Sequence, residues 1–374
     1  MTAVVLALGT VGALAAAAPS VAADAPHKAD HGFVERDLVS DIAGRAEVQD
    51  QNLVNPWGLV NTPRGAIRVS NNGSNTSTVY SGAREGQPVN VLSPVAQLPD
   101  TADPTGVVRN DGSAFRFRAK SGRTGPARYI FAGEGGGLFA FNQDVDPTNA
   151  VQVAQGRGDA VYKGLTLVDC QKQCDKGTDC GKGAERLPRL LVANFRAARI
   201  DAFGPDFKQL NLPAGAFRDP RLPAHYAPFD IKKFGEVVFV TYAKQDAAKH
   251  DDVPGAGHGF INVFTTKGRL LARFASRGVL NSPWGLEEAP KGFGKFAGDL
   301  LVGNFGDGRI NAFDPKNGRF EGTLRNPNGQ PIVIDGLWGL QRGTALSGGR
   351  DSIWFSAGIN GEQDGLLGTL RAAP

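Results

Sequence analysis

A five-residue pattern that returns along the chain constrains the fold more than any other feature. Asn55-Pro56-Trp57-Gly58-Leu59 reappears as Ser282-Pro283-Trp284-Gly285-Leu286 and as Gly336-Leu337-Trp338-Gly339-Leu340. Looser copies are Asp103-Pro104-Thr105-Gly106-Val107, Val161-Tyr162-Lys163-Gly164-Leu165 and Ala227-Pro228-Phe229-Asp230-Ile231. A period of roughly 50 to 65 residues is that of a small sheet repeated around a ring. Each copy is followed by an alternating apolar segment, a turn rich in Gly, Asn or Asp, and a returning strand. Examples are Ile67-Arg68-Val69-Ser70-Asn71 and the pair Leu300–Asn304 and Arg309–Phe313. Period-2 alternation broken by such turns predicts meandering antiparallel hairpins. Sheets of about four strands in radial repetition make a β-propeller.

The closure of the ring is readable as well. After Trp338 only Ser352–Ala357 and Gly365–Arg371 remain as strand candidates, so Phe33–Val39 is expected to supply the outermost strand and cover an open edge. The expectation is an all-β chain, a single six-bladed β-propeller over residues 33–374 closed by its N-terminal strand. Composition agrees. Fifty of 374 residues are glycine, about twice the usual ~7%, and 41% are hydrophobic. That excludes an all-α bundle, a collagen-like repeat and a disordered chain.

Residues 1–23 read differently. Val4 to Ala18 are apolar or small, and Val21-Ala22-Ala23 is a small-residue exit, the pattern of a secretory signal peptide. Residues 24–32 then form a linker, and the mature protein is expected in the periplasm or outside the cell, as a monomer without a membrane span. Export gives meaning to Cys170, Cys174 and Cys180, which allow one local disulfide in a surface loop and leave one odd sulfur. A net charge of +4 without any basic stripe argues against a nucleic-acid partner.

The chain resembles an uncharacterised family of secreted bacterial six-bladed propellers. The likeness spans roughly residues 33 to 371 and runs through Leu53–Gly58, Ser70–Gly73, Tyr242–Asp246, Lys249–Asp252 and Leu301–Ile310. The cysteine segment departs from it. More distantly it is similar to NHL-type propellers and to regucalcin and gluconolactonase propellers. The resemblance implies the fold and assigns no activity.

Three groups of residues are candidates for chemistry. The central repeat residues Trp57, Thr105, Lys163, Phe229, Trp284 and Trp338 lie on the innermost strands. They would either offer aromatic faces to a sugar or a cation, or wedge between blades as spacers. Asn55, Asn72, Glu134, Asn194 and Asn304 cluster at strand ends and offer oxygen ligands; the alternative is that they cap turns. The loop Tyr242–Gly259 carries Asp246, His250, Asp251, Asp252 and His258, a set suited to a divalent cation such as calcium or zinc, or to a base and its orienter. A long loop inside a tight hairpin is often functional. The sequence has no Gly-x-Ser-x-Gly elbow, phosphate loop or dinucleotide fingerprint. Two functions are therefore expected in parallel. One is non-catalytic binding of a small molecule, glycan or cell-envelope component at the channel mouth. The other is a metal-dependent hydrolase or lactonase using the 244–258 loop.

Overall fold

The computed structural model describes residues 31–169 and 188–374. The expected signal peptide, most of the linker, and Cys170, Cys174 and Cys180 lie outside the described residues. Six blade sheets follow one another along the chain, antiparallel except where the two-residue strand Val48–Gln49 pairs parallel with Phe33–Ser40 at the edge of the sixth. Blade one is Pro56–Asn61, Ile67–Asn71, Thr76–Gly82 and Val89–Gln97. Blade two is Pro104–Arg109, Tyr129–Gly133, Gly137–Phe141 and Val151–Gln155, with a short extra hairpin of Arg116–Arg118 and Thr124–Pro126 between its first two strands. Blade three runs from Tyr162–Asp169 to Gln209–Leu210, blade four from Tyr226–Phe234 to Leu270–Ser276, and blade five from Pro283–Glu288 to Phe320–Thr323. Blade six joins Leu337–Arg342, Ser352–Gly358 and Asp364–Ala372 to the N-terminal strand Phe33–Ser40. The six-bladed propeller and its closure are thus as the repeat predicts. Among the described residues no helix is long and apolar enough to cross a membrane.

The same irregularity sits at the start of every blade. In each first strand the pairing with the second strand skips the dipeptide at the centre of the repeat, as between Pro56 and Leu59, Pro283 and Leu286, or Leu337 and Leu340. The bulge turns these residues out of the sheet and toward the axis. Glycine is needed there because neighbouring inner strands almost touch. A Cβ on Gly339 would lie 2.5 Å from the Trp57 carbonyl oxygen, and one on Gly58 2.7 Å from the Val107 nitrogen. Buried hydroxyls knit the bulges together. Ser70 Oγ accepts the Gly58 N–H (2.9 Å) and donates to the Thr105 carbonyl in the next blade. Ser356 Oγ does the same for the Gly339 N–H (3.0 Å) and the Trp57 carbonyl, across the closure.

Candidate functional site at the channel mouth

The central repeat residues converge on the axis and are buried. Trp338 is sandwiched between Trp57, at a centroid distance of 3.4 Å, and Phe305, at 3.9 Å. Trp284 meets both indoles edge-on at 5.9 and 5.7 Å, and Phe229 leans on Trp338 at 5.8 Å. Trp57, Phe229, Trp284 and Trp338 are 4% exposed or less, so they plug the channel, and of these rings only Phe305 is partly exposed. Thr105 Oγ1 donates to the Lys163 carbonyl at 2.7 Å and ties two inner strands together.

Lys163 is the exception. Its stem crosses the aromatic layer and its ammonium stands 5.0 Å from the Trp57 ring centroid. The Nζ donates to Glu134 Oε1 at 2.5 Å and Asp251 Oδ1 at 3.3 Å, while the side chain is only 1% exposed. Burial alone would lower its pKa, but Glu134 and then Asp251 raise it above the ordinary lysine value. The group is therefore a fixed cation rather than a nucleophile.

Glu134 belongs to the turn after the second strand of blade two, and Asp251 to the blade-four loop. His250 Nδ1 lies 2.9 Å from Asp251 Oδ1. Glu134, His250 and Asp251 each offer one ligand atom, and these atoms all lie within 4.8 Å of one another. Asn72 Nδ2 donates to Glu134 Oε2 (3.1 Å), and Asn55 Nδ2 to Asn72 Oδ1 (3.3 Å) and to Glu362 Oε2 (3.0 Å). Trp338 Nε1 donates to Asn55 Oδ1 at 3.2 Å, which couples the plug to the polar mouth above it.

The other expected residues are turned away or half engaged. Asn194 Nδ2 donates to Asp201 Oδ2 at 2.8 Å, and its Oδ1 accepts the Ala197 N–H, so it braces its own hairpin. Asn304 donates to the Val279 carbonyl and to Asp307. Asp246 accepts the His250 N–H at 2.8 Å and shapes the loop, and the His258 ring lies 2.8 Å from the Val253 carbonyl. Asp252 is mostly buried beside Ser282, with one carboxylate oxygen lacking a hydrogen-bond partner.

Two acids at the mouth are absent from the sequence expectation. Asp103 stands just before the blade-two repeat, in the position held by Asn55 and Ser282 in blades one and five. All three adopt left-handed backbone ahead of a proline, with φ of 38°, 45° and 47°. Glu362 closes the turn after Gly358, where Asn360, Gly361 and Glu362 are left-handed in succession at 55°, 64° and 68°. Such backbone is uncommon outside glycine and concentrates at functional sites.

Carboxyl groups predominate at the mouth. Asp103, Glu134, Asp251, Asp252 and Glu362 face Lys163 and His250. Burial and then Glu134 raise the Asp103 carboxyl above its ordinary value. Burial chiefly, with Glu134 and Asp251 adding to it against the Asn55 hydrogen bond, pushes Glu362 from 4.5 to about 7. Asp251 goes the other way: burial opposes ionisation, but Lys163 and His250 hold its carboxyl below the ordinary range. Because folded Glu362 binds its proton more tightly than the unfolded chain does, its ionisation takes stability away as pH rises from about 4.5 to about 7. Glu362→Gln is expected to melt with the wild type at pH 4.5 and above it at pH 8. An equal difference at both pH values would contradict this environment for Glu362.

No family model matches the chain. The uncharacterized protein R648 of Acanthamoeba polyphaga mimivirus is 32% identical over 343 residues, which cover 89% of this chain and 78% of that protein. The uncharacterized protein L690 of the same virus is 34% identical over 331 residues, covering 86% and 81%. Among solved structures, a glucose dehydrogenase superposes with a TM-score of 0.51 at 10% identity, covering 91% of this chain and all of the other. The GH93 α-L-arabinofuranosidase of Fusarium graminearum, solved with arabinobiose, gives 0.51 at 11% identity and covers 91% and 98%. At such identities the likeness is one of fold alone. The expectation of a bacterial family is corrected by these viral relatives, which match over most of their length. The chain belongs to the family of mimivirus proteins R648 and L690.

Proposed function

We propose that the channel mouth is a cation-dependent ligand site, in which Glu134, His250 and Asp251 hold a divalent ion and Asn55, Asn72, Asp103 and Glu362 surround a small polar molecule or glycan. The supporting observation is the convergence of one imidazole and two carboxylates from blades two and four on one point, among an excess of half-buried and exposed carboxyl groups. The donor set fits the cation: ligand atoms within 4.8 Å of one another suit metal–ligand bonds of about 2.0–2.5 Å. An imidazole among the donors favours zinc over calcium, which takes oxygen ligands. Lys163 then competes with the ion for Glu134 and Asp251. Secretion, as residues 1–23 suggest, would bring the mouth to extracellular sugars or envelope components.

A hydrolytic use of the same site is the second reading, favoured by Glu362. A carboxyl at the mouth that titrates near neutrality is suited to giving or taking a proton at physiological pH. His250, oriented by Asp251, is a second group at the mouth able to carry a proton.

Lys163→Met tests the binding reading. Without the ammonium, half-buried Glu134 keeps only the Asn72 hydrogen bond, and the metal-free variant is expected to lose about 1–3 kcal/mol. Zinc should restore most of that loss and bind more tightly than it does to the wild type, because its competitor is gone. A variant that zinc neither stabilises nor binds more tightly would count against the site.

A further inference from the structure

The residue after the central repeat position is glycine in five copies and Asp230 in the fourth. The glycines let the inner strands close on one another. At the exception a carboxyl enters the ring. Its Oδ1 lies 1.8 Å from where a Cβ on Gly164 would stand, so the Asp230 side chain fills the space that this glycine leaves open.

Beyond the ring the channel widens into a cavity of about 400 Å³. It is lined by the downstream halves of the inner strands, whereas the mouth of Glu134 and Asp251 is built where those strands begin. The two sites are therefore at opposite ends of the channel, separated by the aromatic plug. The last apolar residue of every repeat copy, Leu59, Val107, Leu165, Ile231, Leu286 and Leu340, contributes to the wall. Asp230 lies at the blind end and is only 8% exposed.

This carboxyl is poorly supplied with partners. The Ile231 N–H reaches it, and burial, which dominates, pushes it from 3.8 to about 7 against that bond and the charge of Lys232. Lys232 is committed elsewhere. Its ammonium donates to the Leu286 carbonyl at 2.6 Å, Glu287 Oε2 at 3.0 Å and the Leu340 carbonyl at 3.3 Å, which uses its three protons. At the rim Arg109 is paired with Asp111 at 2.8 Å. The wall is mixed, its aliphatic ring interrupted by Asn61, Thr166, Lys233 and Gln341, and Asp230 is the acid in it that no cation pairs with directly.

We propose that the far cavity binds a small organic amine, with its apolar body against the aliphatic ring and its ammonium on the Asp230 carboxylate. An ammonium brings the charge and up to three donors that the protein does not give this carboxyl. A neutral alcohol brings one donor, and an anion brings none and meets the Asp230 carboxylate at the end of the cavity.

The test is isothermal titration at pH 8 with hexylammonium, hexan-1-ol and hexanoate as probes. Hexylammonium is expected to bind with one-to-one stoichiometry and at least tenfold more tightly than hexan-1-ol, and hexanoate not to bind. Asp230→Gly, which restores the residue of the other five copies, and the isosteric Asp230→Asn should both reduce hexylammonium to the level of the alcohol. Asp206→Asn, at an exposed surface position, should bind as the wild type does. Hexylammonium binding no tighter than the alcohol's, or unchanged in Asp230→Asn, would overturn the proposal. So would binding lost in Glu134→Gln but kept in Asp230→Asn, which would move the amine to the acidic mouth.

Discussion

Deletion of residues 31–47 is expected to abolish cooperative folding. The segment contains Phe33–Ser40, which pairs antiparallel with the last strand from Phe33 opposite Ala372 to Ser40 opposite Leu366. Without it, Asp364–Ala372 presents an open edge carrying Leu366, Leu367 and Leu370, all 1% exposed or less in the intact ring. Phe33 would also be lost from between blades. It packs on Phe293 at 4.8 Å and stacks on Phe296 at 5.7 Å, and both of those rings belong to blade five. Blade six then lacks its outer strand and its aromatic contact with blade five. Size-exclusion chromatography and a circular-dichroism melt should show aggregated material and a broad transition. A monomer with a sharp melt near the wild-type temperature would mean that blade six is self-sufficient.

Trp338→Ala is expected to cost about 3–5 kcal/mol in urea denaturation, the range for removing a large buried aromatic side chain. Trp338 is covered on one face by Trp57 and on the other by Phe305, touches Trp284 and Phe229, and holds Asn55 through its indole N–H. No single shift of its neighbours can fill the space, because Trp57, Trp284 and Phe229 are fixed on three different inner strands and Phe305 on the turn after the second strand of blade five. Trp338→Phe keeps part of the stack and should lose less than half as much. A loss below about 1 kcal/mol for the alanine variant would show that the plug is not a structural element and would return the rings to consideration as a ligand platform.

The fold was legible because each blade repeats its own start. Pro-Trp-Gly-Leu specifies a bulge, a ring-facing side chain and a close approach in one string, and counting the strands after Trp338 was enough to demand Phe33–Val39 as the closing strand. The extra hairpin Arg116–Arg118 and Thr124–Pro126 had no such marker, being short and outside the repeat. The site was legible only in pieces. His250 and Asp251 stood out by composition and Glu134 by its place at a strand end, but their meeting depends on how far the ring turns between blades two and four. Asp246 and His258 have the same chemistry and no part in the cluster, because the backbone of their own loop engages them first. Asp103 was visible in the sequence as the residue aligned with Asn55 and Ser282. Glu362 was not, since only the left-handed turn from Asn360 brings it over the mouth.

Zinc titration by calorimetry on the chelator-treated protein tests the mouth most directly. One equivalent should bind to the wild type, binding should fall at least a hundredfold in a Glu134→Gln, His250→Ala, Asp251→Asn triple variant, and His258→Ala should bind as the wild type does. Absence of saturable binding to the wild type, or equal binding by the triple variant, would contradict a cation site at the mouth of this propeller.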